Sequence, residues 1–241
     1  MEDQDLESME KQRLEEEEQE KTRLKVKIHQ CEQNSDEWFM VRSGKITGSE
    51  AYKILLKGKG SKESETKIKY AQKLAYERLY GVPIYKDISY ISAVKHGREY
   101  EKSALNEYCK KFSVEQNAIG FIEIDEQLDF EQNFLGCSPD GLIGENGLVE
   151  IKCPSQEKHL TMFFDGLTDQ EWLTQCKYNL FVSQREWIDF VSYDPFQEVK
   201  KLKIYVQRFF RDAEWEENFV KHIQKFKLIM EEQTEKLRSI K

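Results

Sequence analysis

Two short stretches concentrate side chains able to do chemistry: Ser138-Pro139-Asp140-Gly141 and Glu150-Ile151-Lys152. Alone, the first is a type I turn with proline at its second position, and the second is a strand carrying two charges. Between them lies Gly144-Glu145-Asn146-Gly147, a turn composition between apolar residues, which predicts a hairpin. The hairpin lays Leu148–Lys152 beside Cys137–Ile143 and brings Asp140 and Glu150 together at one end of a sheet. Residues 150 and 152 point the same way on a strand, so Lys152 joins them. Two carboxylates held close repel unless a cation sits between them. Oxygen-only ligands suit Mg²⁺, with Mn²⁺ as a substitute. A lysine beside such an ion can lower the pKa of a water or orient it as a nucleophile. This is a layout for metal-dependent phosphodiester hydrolysis.

A third acid lies upstream, in His96-Gly97-Arg98-Glu99-Tyr100-Glu101. Glu99 and Glu101 are two apart on a predicted helix and face different sides, so only one can look at the sheet. Periodicity does not choose between them. The histidines (29, 96, 159 and 222) show no metal-pair spacing. Cysteines stand at 31, 109, 137, 153 and 176, an odd number with no CxxC pair. That argues against a disulfide framework, a zinc knuckle or an iron–sulfur cluster, and for a reducing, intracellular and cytoplasmic setting. Cys137 and Cys153 read as buried thiols. Lys57, Lys59, Lys62, Lys67 and Lys69 form a basic stretch that either tracks a phosphate backbone or is a solvated loop.

The elements that must position these residues follow from pattern. Short helices are expected at Ser35–Met40, capped by Ser35, and at Ser49–Leu56. Longer ones are expected at Lys67–Tyr80, stopped by Gly81 and Pro83, and at Ser92–Lys111. Strands follow at Phe121–Asp125, Phe134–Cys137, Leu142-Ile143 and Leu148–Lys152. Helices at Glu157–Phe164 and Thr168–Val182 come next, then strands at Trp187–Tyr193 and Val199–Gln207. An amphipathic helix over Asp212–Lys236 closes the chain. Trp172 and Trp187 read as core. The expected fold is α/β (α+β): a central mixed β-sheet flanked by helices, one domain over residues 26–241 behind an acidic arm, 1–25.

The chain has 241 residues and a net charge of −8, with 12% aromatics. The aromatics exclude a disordered chain, and no apolar run is long enough for a membrane span. The acidic N-terminus fits neither a secretory signal nor a transit peptide. Residues 1–22 hold ten acids and three bases, so they carry −7 and leave −1 for the rest. The net charge therefore does not exclude DNA as a partner.

Asp140 followed by Glu150-x-Lys152 resembles the PD-(D/E)xK nuclease core, which has a restriction-endonuclease-like fold. More narrowly, the chain resembles the lambda-exonuclease-like (YqaJ-type) viral recombinase family. The resemblance rests on Trp38, Arg42-Ser-Gly-Lys-Ile-Thr-Gly-Ser49, Gly97–Glu101, Gly136–Leu142, Leu148–Pro154, Gln175 with Tyr178, and Tyr193-Asp-Pro195. These run in family order across about two thirds of the chain. The arm has no counterpart, and the C-terminal helix is only loosely comparable.

The resemblance implies that Asp140, Glu150 and the Ile151 carbonyl bind metal, that Glu101 completes a second metal position, and that Lys152 orients the attacking water. It implies that Arg42, Ser49 and Gln175 hold a terminal 5′-phosphate. It further implies degradation of one strand of duplex DNA from 5′-phosphorylated ends, a ring-shaped homotrimer, and a single-strand annealing protein as partner. An endonuclease on the same core, or an inactive DNA-binding protein, are the alternatives.

Overall fold

The computed structural model describes residues 24–60, 62–84, 92–125 and 134–240, with the main chain alone for 92–98. The acidic arm, except Leu24 and Lys25, lies outside them. Nine strands are described: β1 Val26–His29, β2 Ile46–Thr47, β3 Gln116–Asn117, β4 Phe121–Ile124, β5 Leu135–Cys137, β6 Gly141–Ile143, β7 Gly147–Lys152, β8 Trp187–Tyr193 and β9 Ile204–Phe210. The helices are α1 Asp36–Arg42, α2 Glu65–Tyr80, α3 Ser92–Phe112, α4 Gln156–Asp165, α5 Gln170–Ser183 and α6 Ala213–Arg238. Two 3₁₀ segments, Gly48–Leu55 and Lys200–Leu202, complete the described elements.

The strands form two mixed sheets rather than the single one expected. One runs β1-β4-β5-β2 and the other β3-β6-β7-β8-β9. The Ser138-Pro139-Asp140 segment joins them, because β5 ends at Cys137 and β6 begins at Gly141. The hairpin is present: β6 and β7 are antiparallel, with Gly141 opposite Val149. β7 and β8 are parallel, with Glu150 opposite Phe190 and Lys152 opposite Ser192. Parallel neighbours need a long crossover, supplied by the segment carrying α4 and α5.

Both faces of the five-stranded sheet are covered, so β7 is buried at five of its six positions. One face carries Leu148, Glu150 and Lys152, with Ile188 and Phe190 in register. α5 covers this face, and Trp172 stacks on Phe190 at 5.8 Å. The opposite face carries Val149, Ile151 and Val191, packed with Ala104 and Tyr108 of α3. Tyr108 also donates to buried Asp189 at 2.7 Å, which pins α3 to β8.

Local signals explain most helix ends. The Ser35 hydroxyl caps α1 by accepting from the Trp38 amide, and Gly81 ends α2 at φ 66°. Two expectations need correction. The Ser49–Leu56 helix is a 3₁₀ helix beginning at Gly48, with Thr47 at the cap position. The strand expected from Val199 begins at Ile204, because Lys200–Leu202 forms a 3₁₀ turn first. The basic stretch is partly neutralised, with Lys67 on Glu63 and Lys69 on Glu65. All five cysteines are free thiols; Cys137 is buried and Cys153 half-buried. No described helix is long and apolar enough to cross a membrane.

Candidate active site

The hairpin places Asp140 beside β7. The Asp140 amide donates to the Val149 carbonyl at 3.1 Å, and the Asp140 Oδ2 accepts from the Ile151 amide at 2.6 Å. The N–H and C=O of one strand residue face the same edge. The Ile151 carbonyl therefore lies on the Asp140 side, beyond the last β6–β7 pair.

Glu150 is 2% exposed. Removing a carboxylate from water costs several kcal/mol, so its oxygens need strong donors. Three supply them. Lys152 Nζ and Gln175 Nε2 each reach Oε1 at 2.6 Å, and Asn179 Nδ2 reaches Oε2 at 3.0 Å. Burial opposes the Lys152 charge, but Glu150 and then Asp140 outweigh it and raise the ammonium pKa. Lys152 is thus held as a charged donor, suited to orienting an oxygen rather than abstracting a proton. Asp140 is in the opposite condition. Burial first, then Glu150 and Glu101, push its carboxyl pKa well above the usual range.

Glu101 is exposed on α3, the helix that covers the other sheet face, yet its charge is felt at Asp140 and at Cys153. Glu99, by contrast, lies against Tyr100. Among the described residues no three His, Cys, Asp or Glu side chains gather closely enough to hold an ion. The donors brought together are Asp140, Glu150 and the Ile151 main chain, without Glu101 in the same cluster. This set still fits a divalent metal. It is all oxygen, and after burial the repulsion from Glu150 raises the Asp140 pKa, a repulsion that a cation relieves.

At the other end of the Ser-Pro-Asp segment, Arg42 stacks on Trp38, 3.8 Å from guanidinium to ring centroid. Its Nη1 donates to the Ser138 hydroxyl at 3.1 Å, and Trp38 Nε1 donates to the same oxygen at 2.9 Å. Ser138 in turn donates to the Gly120 carbonyl at 2.8 Å. Burial lowers the Arg42 pKa to about 10, which leaves it charged at neutral pH. Ser49 is exposed on the first turn of the 3₁₀ helix, next to Gly48, which packs on Asn179 and Gln175. Gln175 is buried and bonded to Glu150, so it stands at the acid site as well as near Ser49. Sequence reasoning did not single out Ser138 or Asn179. The SPDG motif contained the first. A helical spacing of four from Gln175 was the only signal for the second.

These features define a nuclease-fold protein of mixed sheets flanked by helices. An alkaline exonuclease (LHK-Exo) from Laribacter hongkongensis has this fold, with TM-score 0.70 and 26% identity over 85% of this chain and 96% of that one. LHK-Exo in complex with dAMP matches at TM-score 0.71, with the same 26% identity and the same coverage of 85% and 96%. A phage related exonuclease from Haemophilus somnus 129PT shares the fold at TM-score 0.51 and 15% identity, over 81% of this chain and 95% of that one. No curated protein matches the sequence. Residues 37–186 match the YqaJ-like viral recombinase domain, and the chain belongs to that family.

Proposed function

We propose that the chain is a divalent-metal-dependent DNA exonuclease that hydrolyses one strand of duplex DNA from a 5′-phosphorylated end. The observation that carries this reading is the Glu150–Lys152 hydrogen bond, set against Asp140 on the adjoining main chain. The similarity to structures titled exonucleases, one in complex with dAMP, supports deoxynucleotide chemistry. In this reading Asp140, Glu150 and the Ile151 carbonyl hold Mg²⁺ or Mn²⁺, and Glu101 completes a second position from α3. When bound, the metal supplies a Lewis acid and an activated water. Lys152, kept charged by its acids, orients that water. Arg42 offers a planar donor fork to a terminal phosphate, with Ser49 and Gln175 beside it. Holding the DNA end places the first scissile bond at the acids.

The expected boundary at 26 moves to 24, because Leu24 packs on the core and the Lys25 carbonyl accepts from the Asp125 amide, and the nuclease unit is proposed to run from there to 241. A homotrimer around the duplex and a single-strand annealing protein are the partners proposed from the family resemblance. The reading is tested with end-labelled linear duplex and a covalently closed circle in Mg²⁺. Release of nucleotides from linear ends with the circle left intact is expected. Nicking of the circle would move the reading to an endonuclease, and binding without turnover would move it to a DNA-binding module.

A further inference from the structure

Glu150 takes two of its three partners from one helix. Gln175 and Asn179 are four apart, so α5 presents both on one face. Their amides reach different oxygens of the same carboxylate, Gln175 at 2.6 Å and Asn179 at 3.0 Å. Lys152 and Gln175 share Oε1, which leaves Asn179 as the side chain bonded to Oε2. The terminal torsion of a glutamate is soft, and a carboxylate held at one oxygen can still turn. Asn179 is the contact that sets the plane.

The orientation of Asn179 follows from chemistry. An ionised carboxylate only accepts, so the amide nitrogen must face Glu150 and Oδ1 must point away. That oxygen is buried and has no hydrogen-bond partner among the described residues. It lies against Gly48, where an added Cβ would come within 2.3 Å of it. An orphaned buried polar atom costs about 1–3 kcal/mol. The fold carries that cost while keeping a donor on Glu150 Oε2.

We propose that Asn179 is a positioning residue that orients the Glu150 carboxylate for the metal, separately from recognition of the DNA end. This rests on Glu150 being a metal ligand, as proposed above. Partners of ligating carboxylates typically govern metal affinity by about 10–100-fold.

The test is Mn²⁺ binding to the full chain, followed by the paramagnetic resonance signal of free Mn²⁺. Asn179→Leu keeps the branched shape, with some added bulk, and removes both polar atoms, including the orphaned oxygen. It should weaken Mn²⁺ binding about tenfold or more, measured on protein whose folding is checked by melting temperature. The ratio of rates on 5′-phosphate and 5′-hydroxyl ends should stay within about twofold of wild type, since the Arg42 donor fork is untouched. Asn179→Ala, which cannot clash, should show the same loss of affinity and covers a leucine variant that fails to fold. Unchanged Mn²⁺ affinity in either folded variant overturns the proposal, as does loss of the end ratio with affinity intact. If the wild-type chain binds no Mn²⁺, the metal reading fails first and takes this inference with it.

Discussion

At Ser138 a stacked guanidinium, an indole N–H and a hydroxyl satisfy one another, whereas two residues further on burial and then two acids raise the Asp140 pKa. The Arg42 corner is complete as built: its hydroxyl uses its donor and two acceptor positions. The β7 site is less evenly satisfied. Glu150 accepts from three side chains, whereas Asp140 accepts one amide and feels the charge of Lys152, which Glu150 engages. The contrast separates two jobs. In the proposed function the polar corner presents a rigid cation to the terminal phosphate, and the buried pair of acids is where a metal ion would lower the energy.

The sharpest way to break this contrast is to remove the acid site. Glu150→Ala leaves Lys152, Gln175 and Asn179 without their acceptor and deletes the proposed metal ligand. Several kcal/mol of transition-state stabilisation should go, a rate loss of at least about a hundredfold. Chelation by EDTA should have the same effect on the wild type, reversed by Mg²⁺, in a steady-state assay on linear duplex.

The Arg42 corner should fail differently. A charged hydrogen bond contributes about 1.5–3 kcal/mol, so Arg42→Ala should lose roughly ten- to hundredfold in rate on 5′-phosphorylated ends. It should lose little on 5′-hydroxyl ends, and its Mg²⁺ requirement should not move. Equal wild-type rates on both ends would remove the phosphate role from this corner.

A smaller effect sharpens the electrostatic half of the contrast. The Asp140 pKa is raised in the folded chain, first by burial, then by Glu150 and Glu101. A raised carboxyl contributes stability that is fully present below its unfolded pKa and lost as pH rises through the folded one. The metal-free protein therefore loses stability as pH rises above the unfolded pKa, so the penalty is larger at pH 8 than in acid. Asp140→Asn keeps an acceptor for the Ile151 amide and has no charge. Without metal it should melt above wild type at pH 8, by about 2–4 °C for each kcal/mol relieved. The gain should vanish in acid, and Mg²⁺ should narrow it by stabilising wild type. A metal-free Asp140→Asn protein that melts lower than wild type at pH 8 would contradict the strain. The smallest effect is expected from deleting residues 1–22. Nuclease rate should stay within about twofold, with somewhat tighter DNA binding at low salt once a −7 arm is gone.

The legibility of the site follows the same division. Asp140, Glu150 and Lys152 were readable because a short hairpin and strand parity fix their meeting within thirteen residues of chain. Gln175 and Asn179 reach Glu150 across 25 and 29 residues, through a crossover whose packing no local pattern encodes. The same holds for Arg42 and Ser138, 96 apart. The two-sheet arrangement was hidden because a Ser-Pro-Asp link reads as a turn within one sheet. The 3₁₀ geometry at Gly48–Leu55 was hidden because its composition suits an α-helix equally well.

The most direct test of the account is the single-turnover rate of Lys152→Ala on 5′-phosphorylated linear duplex in saturating Mg²⁺, with folding checked by melting temperature. Glu150 keeps Gln175 and Asn179 in this variant, so the chain should fold and bind DNA. Cleavage should fall by at least about a hundredfold, the loss of several kcal/mol at the transition state. A folded Lys152→Ala protein that cuts within about threefold of wild type, a difference of less than one kcal/mol, would contradict the assignment of this strand as the centre of the reaction.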